Sequence, residues 1–335
     1  MESLALKYRP HKFEDLSEQE EIRVILKNQI NTNTIKHGYL FTGPAGCGKT
    51  TSARIFANMI NKGEGTPIEL DAASNNSVDD IRKLIDDAQT KSLDSEYKVF
   101  IVDEVHMVTP QGFNAFLKTL EEPPAKSIFI LCTTNPEKVP NTILSRVQRY
   151  NFQKISTEGI KNRLQFICES EGFEYEEDAL WLLSKLAKGG MRDGITLLDK
   201  VSSYSQQIDS DTVLKALGVV DYDTMLKLND SIFNKDKKQI ITTIDTVYNS
   251  GIDLKQFITN YFEFILDINV YHIVNDKYEV AIPNNVIADI DTYGNYEFSV
   301  CNKLLDFLVA LQTSIKYEHN PKSVIQAKFL LFEGE

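Results

Sequence analysis

The chain has 335 residues, of which 42% are hydrophobic and 25% charged, so we expect two or three domains of ordinary globular composition. We expect no membrane span, because no run of 18 apolar residues occurs, and no secretory signal, because the first residues lack an apolar core. We therefore predict a cytoplasmic protein. The net charge is −12, but residues 1–155 hold 19 Lys and Arg against 20 Asp and Glu. The overall sign argues against nucleic-acid binding, whereas a near-neutral N-terminal part can still carry a local basic face.

The four cysteines are scattered along the chain, with neither a CxxC pair nor a paired histidine spacing. They are Cys47, Cys132, Cys168 and Cys301. This spacing argues against structural zinc and against a disulfide framework, and it favours isolated buried thiols.

Helix and strand patterns alternate over the first 155 residues, which is typical of a parallel α/β sheet. Short buried strands are predicted at GYLFTG, PIELDA, KVFIVDE and SIFILCTT, and a turn leading into a strand at ILSRVQRYNF. Ser17-Glu18-Gln19-Glu20 predicts a capping box that opens a helix. Its apolar side would carry Ile22, Ile25, Leu26 and Ile30. A second helix is predicted to begin behind Ser77.

Strand patterns fade after Phe152. The segment DALWLLSKLAKGGMRDGITLLDKV predicts two helices separated by Gly189-Gly190, in a small all-helical unit. Long amphipathic helices are predicted from about Gly218 onwards. One carries Leu254, Ile258, Tyr261, Phe262 and Ile265, and another carries Leu304, Leu308, Leu311 and Ile315. A plain helical core and a surface for partner subunits are both open at this point.

The segment GPAGCGKT, from Gly43 to Thr50, fits the phosphate-binding pattern G-x-x-x-x-G-K-[ST]. A predicted strand precedes it and a predicted helix follows it, which is the context that the pattern requires. The glycines allow backbone N–H groups to face phosphates, Lys49 reaches the β- and γ-phosphates, and Thr50 coordinates Mg²⁺. The predicted nucleotide-binding residues of this loop are Gly43, Gly46, Gly48, Lys49, Thr50 and Thr51.

The segment KVFIVDEVHM predicts a buried strand that ends in Asp103-Glu104. Asp103 would hold the metal ion, and Glu104 would polarise the attacking water. An ordinary acidic strand end is the alternative. His106 completes a DEVH sequence of the kind found in helicase motors, although a lone histidine is more often structural.

Phosphoryl transfer also needs positive charge near the transition state. Arg146, Arg149 and Arg192 are the candidates. Pairing of each arginine with a neighbouring carboxylate is the competing interpretation.

Six segments in order closely resemble the signatures of one protein family, the bacterial clamp-loader motor subunits. These are the gamma/tau subunits of DNA polymerase III, which are AAA+ ATPases. The segments are ALKYRPHKFEDL, GPAGCGKTTSAR, IELDAASNNSVDDIR, VDEVHMVTPQGFNAFLKTLEEPP, CTTNPEKVPNTILSRVQRYNF and GGMRDGITLLDK. NPKSVIQAKFLLF weakly resembles the end of the family's third domain.

The resemblance implies an AAA+ P-loop domain with a parallel sheet at 1–155, a small helical lid domain at 156–218 and an all-α collar domain at 219–335. It implies that Tyr8, Arg9 and Pro10 lie over the adenine. Thr134 would be the sensor-1 residue that reads the γ-phosphate, and Arg192 the sensor-2 arginine. Arg146 would be an arginine finger that completes the ATP site of a neighbouring subunit.

The implied activity is ATP hydrolysis with Mg²⁺, coupled to opening a sliding clamp and loading it on primed-template DNA within a pentamer of clamp-loader subunits. Arg82 is the candidate DNA contact, with a solvated surface arginine as the alternative. Only NKGEGT lies where the family usually carries a four-cysteine insertion, so no zinc is expected. Val147 follows the finger where the family has cysteine. Glu18-Gln19 replaces the usual Gly-Gln, which leaves the adenine contacts there open.

Two other functions are weighed against this one. A non-hydrolysing scaffold of the same assembly is disfavoured by the intact Lys49, Thr50, Asp103 and Glu104. Another AAA+ machine acting on DNA, such as a branch-migration helicase or a replication-factor-like subunit, is the second. A helicase of that kind would end in a basic winged-helix module, whereas the C-terminal third here reads as helical and acidic. A chain that ends after the third domain would also suit a phage or a compact genome.

Overall fold

Five parallel strands form the sheet that carries the nucleotide-binding pattern. In a computed structural model, which describes residues 2–218, 222–274, 280, 282, 286–287, 290 and 298–332, the strands follow the order β2-β3-β4-β1-β5. They are β1 Gly38–Thr42, β2 Ile68–Asp71, β3 Lys98–Asp103, β4 Ser127–Thr133 and β5 Gln148–Asn151. All five predicted strands are therefore confirmed.

Helices cover both faces of this sheet, and alternate strand residues feed two separate cores. Tyr39 and Phe41 of β1 lie in one core, and Leu40 lies in the other. The helices that precede or follow these strands are α1 Leu4–Lys7, α2 Glu20–Asn31, α3 Lys49–Ile60, α4 Val78–Ala88, α5 Pro110–Glu121 and α6 Asn141–Leu144. The predicted α/β class of the N-terminal part is thus confirmed.

The beginning of α2 differs from the prediction. The predicted capping box at 17–20 is wrong, because the residue that precedes the helix is Gln19, which has a left-handed backbone and no capping side chain. The Gln19 amide instead donates to the main-chain oxygen of Gln153 at 2.8 Å, and the Glu18 carboxylate accepts from the main-chain nitrogen of Ser156 at 3.1 Å. These bonds hold the 18–19 segment to the segment after β5. Ile25, predicted to be on the apolar side, is 43% exposed.

The beginning of α4 confirms the prediction. The Ser77 hydroxyl accepts from the main-chain nitrogen of Asp80 at 3.2 Å, and the Asp80 carboxylate accepts from the main-chain nitrogen of Ser77 at 3.3 Å. This reciprocal arrangement satisfies two backbone donors at the helix start.

The chain divides into two compact units. One comprises Met1–Leu164 with Ala187–Thr196, and the other comprises Gln165–Leu186 with Leu197–Glu335. The predicted three domains at 1–155, 156–218 and 219–335 stay a prediction.

The remaining elements are mostly helical. They are α7 Thr157–Glu171, β6 Glu174–Tyr175, α8 Glu177–Leu186, α9 Met191–Tyr204, β7 Gln207–Ile208, α10 Ser210–Leu217, α11 Tyr222–Phe233, α12 Lys237–Asn249, α13 Leu254–Val274, α14 Phe298–Ile315 and α15 Pro321–Leu331. The two helices predicted around Gly189-Gly190 are α8 and α9. The predicted all-helical unit also contains the short parallel pair β6 and β7, which sequence patterns did not indicate.

The C-terminal helices share one core. Ile258 and Tyr261 of α13 and Leu304 and Leu308 of α14 are completely buried in it. The predicted amphipathic helices are therefore confirmed where the structure describes them. None of the described helices combines the length and apolarity that crossing a membrane requires.

Candidate functional site

The loop between β1 and α3 has the backbone that a phosphate cradle requires. Gly43, Gly46 and Gly48 have φ angles of 144°, 69° and 100°, which side-chain-bearing residues rarely adopt. A Cβ atom on Gly43 would lie 2.3 Å from the main-chain oxygen of Phe152. Gly43 is thus needed for both conformation and space, whereas Gly48 is needed for its backbone conformation.

Lys49 carries a buried positive charge. It is 6% exposed, and its ammonium donates to the main-chain oxygens of Gly43 and Pro44 at 2.9 and 2.6 Å. No carboxylate pairs with it among the described residues. A buried charge of this kind needs an opposite charge. The position therefore fits a phosphate group above the loop.

Thr50 and Asp103 come together from α3 and β3. The Thr50 hydroxyl donates to Asp103 Oδ2 at 2.7 Å, and Asp103 Oδ1 accepts from the main-chain nitrogen of Glu104 at 3.0 Å. A hydroxyl and a carboxylate oxygen side by side suit the hard, oxygen-preferring Mg²⁺ ion. The two predicted metal-holding residues are therefore neighbours in the fold.

Glu104 follows β3 with a left-handed backbone, at φ 47°. Its Oε2 accepts from the main-chain nitrogen and the hydroxyl of Thr134, at 3.2 and 3.0 Å. The predicted water-polarising and γ-phosphate-sensing residues thus contact each other directly. His106 also approaches this oxygen, with Nδ1 at 3.2 Å.

An open cleft of about 700 Å³ lies over this loop. Among the predicted site residues, Tyr8, Arg9, Pro10, Gly46, Gly48, Lys49, Thr50, Thr51, Asp103, Glu104 and Arg192 line it. The main-chain nitrogen of Met191 donates to the main-chain oxygen of Gly46 at 3.0 Å, which fixes the start of α9 against the loop. Arg192 follows in the first turn of that helix. Gly43 and Thr134 do not line the cleft, but each binds a residue that does. The Gly43 main-chain oxygen accepts from Lys49, and the Thr134 hydroxyl donates to Glu104.

Several further residues that line the cleft were not predicted from the sequence, among them Arg163, Arg54 and Asp193. Arg163 of α7 donates to the main-chain oxygen of Tyr8 at 2.8 Å, and burial lowers the pKa of its guanidinium. Arg54 forms a two-fold pair with Glu69, at 2.6 and 2.5 Å, which raises the pKa of Arg54. Asp193 lies in the first turn of α9. Arg54 could have been found, because it lies one helical turn after Thr50. No sequence pattern indicates Arg163.

The other predicted arginines lie outside the cleft. Arg146 follows α6, where its guanidinium pairs with Glu121 and donates to the main-chain oxygen of Thr142 at 2.6 Å. Arg146 therefore has the carboxylate neighbour that the competing interpretation requires. Arg149 is exposed on β5. Arg82 on α4 is exposed and pairs with Asp79 at 3.3 Å. Neither the finger role of Arg146 nor the DNA contact of Arg82 is tested by these positions.

The four cysteines are free and buried, as predicted. Burial raises the pKa of Cys168 to about 12 and that of Cys301 to about 11, and it also raises the pKa of Cys47. In the part of the chain that the structure describes, no group of three or more His, Cys, Asp or Glu side chains could hold a metal ion. Asn61 follows α3 in the segment NKGEGT, and its side chain exchanges two hydrogen bonds of 2.8 Å with the main chain of Tyr97.

Three family models match consecutive parts of the chain. DNA polymerase III, delta subunit, matches residues 66–156; DNA polymerase III clamp loader subunit, ATPase lid domain, matches 159–207; and DNA polymerase III subunits gamma and tau domain III matches 208–324. DNA polymerase III subunit tau of Bacillus subtilis is 38% identical over 287 residues, which are 79% of this chain and 51% of that protein.

The chain belongs to the gamma/tau family of DNA polymerase III clamp-loader subunits.

Other members of the gamma/tau family are similarly related. The tau subunit of Escherichia coli is 36% identical over 272 residues, which are 75% of this chain and 42% of that protein. The gamma/tau subunit of Mycoplasma genitalium is 36% identical over 79% of this chain and 48% of its own length. The chain thus spans about half the length of the curated relatives that it matches.

Solved structures agree on the fold. Thermotoga maritima RuvB, described as a Holliday junction branch migration motor, superposes with a TM-score of 0.53. The match covers 67% of this chain and 79% of RuvB, at 19% identity. At this identity the likeness concerns the AAA+ P-loop fold alone. The match of 208–324 to gamma and tau domain III distinguishes this chain from a branch-migration motor in its C-terminal part.

Proposed function

We propose that this gamma/tau family member is an ATP-hydrolysing motor subunit that opens a sliding clamp and loads it on primed-template DNA. One observation carries the proposal. Lys49, Thr50, Asp103 and Glu104 surround one cleft, in which a buried ammonium lacks an acidic partner among the described residues and a hydroxyl lies 2.7 Å from a carboxylate oxygen. A scaffold subunit has no need to keep these four groups together.

Each side chain has a defined task in this proposal. The glycines of the loop and Lys49 bind the phosphates, while Thr50 and Asp103 hold Mg²⁺, which offsets charge on the phosphate oxygens when it is bound. Glu104 accepts the proton of the attacking water. Tyr8, Arg9 and Pro10 bound the adenine end of the cleft, and Thr134 and Arg192 contact the γ-phosphate.

Arg146 completes the ATP site of a neighbouring subunit in the proposed assembly. Its position outside its own cleft supports this role. The ion pair with Glu121 would hold the guanidinium in place until the neighbour binds. The proposed partners are the sliding clamp, primed-template DNA and other clamp-loader subunits in a pentamer, all in the cytoplasm. Arg82 stays the candidate DNA contact, and no zinc is proposed.

The experiment is a steady-state ATPase assay of the chain with the clamp and partner subunits of its own genome. Clamp and primed DNA together should raise the rate, whereas either one alone should raise it less. Glu104→Gln should bind ATP but lose hydrolysis, which identifies the measured activity with this site. A rate that clamp and primed DNA leave unchanged would contradict clamp loading. Tight ATP binding without hydrolysis by the native chain would instead favour a scaffold.

A further inference from the structure

His106 contacts the proposed general base, and the roles assigned above leave it without a task. It lies on the short turn Val105–Met107 that follows β3, and its side chain is 11% exposed. Its Nδ1 is 3.2 Å from Glu104 Oε2 and 3.0 Å from the hydroxyl oxygen of Thr133. A nearly buried ring this close to the proposed general base is placed to influence the orientation of that carboxylate.

Nδ1 forms a hydrogen bond with the Thr133 hydroxyl at 3.0 Å and an ion-pair contact with Glu104 Oε2 at 3.2 Å. Because a carboxylate oxygen is negative and only accepts hydrogen bonds, a hydrogen on Nδ1 suits this contact and a lone pair does not. The Thr133 oxygen already accepts from the main-chain nitrogen of Asn135 at 3.0 Å and can accept from Nδ1 as well. We therefore assign the hydrogen to Nδ1, which donates it to Thr133 and presents a partial positive charge to Glu104 Oε2.

The two oxygens of Glu104 differ in their surroundings. Oε2 accepts hydrogen bonds from the main-chain nitrogen and the hydroxyl of Thr134 and lies 3.2 Å from Nδ1 of His106. Oε1 has no hydrogen-bond partner among the described residues, and Glu104 lines the cleft. One oxygen is thus held by the protein, while the other keeps its lone pairs for a water molecule.

We propose that His106 is a positioning residue for Glu104: it holds Oε2, so that Oε1 is the oxygen presented to the attacking water. The inference rests on the proposed ATP hydrolysis and deepens it. The role of His106 matters most when the Thr134 hydroxyl turns towards a γ-phosphate, because Oε2 then keeps only His106 and the main-chain nitrogen of Thr134 as contacts. His106 itself touches neither the nucleotide nor the water, so its loss should affect turnover rather than binding.

The experiment compares two substitutions at this position by their kcat and by their affinity for ATP. His106→Leu keeps an apolar side chain but removes the donor, and His106→Asn keeps an N–H donor on a short planar side chain. We expect His106→Leu to lower kcat roughly tenfold and to leave the Kd for ATP within about twofold. His106→Asn should recover most of the lost kcat. His106→Ala adds no bulk and replaces the leucine variant if that variant fails to fold.

Three results would overturn the inference: native turnover in His106→Leu, equal loss in the leucine and asparagine variants, or a loss of ATP affinity that matches the loss of kcat. The last two would mean that His106 only supports the local fold. The native chain and Glu104→Gln are measured in parallel. A native chain that does not hydrolyse ATP would refute the proposed function, whereas native hydrolysis that Glu104→Gln abolishes and His106→Leu retains would refute the inference alone.

Discussion

At the scale of single residues, Gly43 is the glycine of the loop that tolerates a side chain least. Its φ of 144° and the 2.3 Å approach of a Cβ to the main chain of Phe152 leave no room for a side chain. We expect Gly43→Ala to destabilise the protein by about 2 kcal/mol, because it adds a clash to a strained backbone. ATP binding should weaken as well, because the loop has to shift. Urea unfolding and nucleotide titration measure the two effects.

Gly172→Ala is the matched control for this change. Gly172 also has a positive φ, of 75°, but nothing lies within 4 Å of a Cβ placed there. Its cost should be about 1 kcal/mol, from the backbone alone, without loss of ATP affinity. Equal destabilisation by the two substitutions would show that the clash at Gly43 is relieved without cost.

The residues of the loop could be predicted from the sequence because the phosphate-binding groups lie at fixed, short distances along the chain. Lys49 and Thr50 follow the glycines directly, so local geometry sets their positions. Arg163 could not be found this way, since its partner Tyr8 is distant in sequence and only the fold brings them together. The contact of Thr134 with Glu104 was likewise not predicted. It depends on β3 and β4 being adjacent strands.

Arg163→Met tests the contribution of this missed residue. It removes the guanidinium that donates to the main-chain oxygen of Tyr8 while keeping most of the apolar stem. We expect the affinity for ATP to fall about fivefold, because the segment proposed to cover the adenine loses a charge-assisted hydrogen bond. Titration with a fluorescent ATP analogue measures it. Arg149→Met, at an exposed arginine outside the cleft, is the control, and equal affinities in the two variants would contradict this role.

At the scale of elements, two capping patterns in the sequence had different outcomes. Both α2 and α4 are preceded by a serine with an acidic residue three positions later, yet only Ser77 caps its helix. At α2 the residues Glu18 and Gln19 bind the main chain of the segment after β5. Distant hydrogen bonds of this kind override a local preference, and a local pattern contains no information about them.

The substitutions Ser77→Ala and Ser17→Ala measure how much each serine contributes to the stability of the protein. Ser77→Ala should lower the free energy of unfolding by about 1 kcal/mol, because it removes a hydrogen bond at a helix start. Ser17→Ala should change it by less than about 0.5 kcal/mol. Urea unfolding of both variants gives the values, and a loss at Ser17 as large as that at Ser77 would mean that the capping box at α2 forms after all.

At the scale of the whole molecule, fold class and element order could be predicted because hydrophobic periodicity and strand–helix alternation are strong signals. The order of the strands, β2-β3-β4-β1-β5, does not follow from these patterns, because they say nothing about which strands pair. The pair β6 and β7 was also not predicted, because strands of two residues are too short to show a hydrophobic periodicity. The roles of Arg146 and Arg82 depend on partner molecules, which neither periodicity nor spacing describes.

The reactivity of the four cysteine thiols tests whether the cores of both compact units stay closed to solvent. All four cysteines are buried, and burial raises the pKa of each thiol, so the reactive thiolate is scarce at a pH of about 8. We expect the native protein to react slowly with a disulfide reagent, and all four thiols to react rapidly in guanidinium chloride. Rapid reaction of one thiol in the native state would show that its core opens.

The central claim is that this chain works as a motor whose Arg146 serves a neighbouring subunit. The most direct test is the ATPase rate of mixed variants, measured in the assembled complex with clamp and primed DNA. Lys49→Ala should lack a working site of its own, and Arg146→Ala should lack a finger. The matched control Glu121→Ala removes only the carboxylate partner of Arg146.

We predict that Lys49→Ala and Arg146→Ala are each inactive alone, that their mixture recovers activity, and that Glu121→Ala keeps most of the native rate. Recovery requires Arg146 of a Lys49→Ala chain to complete the ATP site of an Arg146→Ala chain. Full activity of Arg146→Ala alone, or no recovery in the mixture, would contradict the claim. An equal loss in Glu121→Ala and Arg146→Ala would instead assign the arginine to its ion pair.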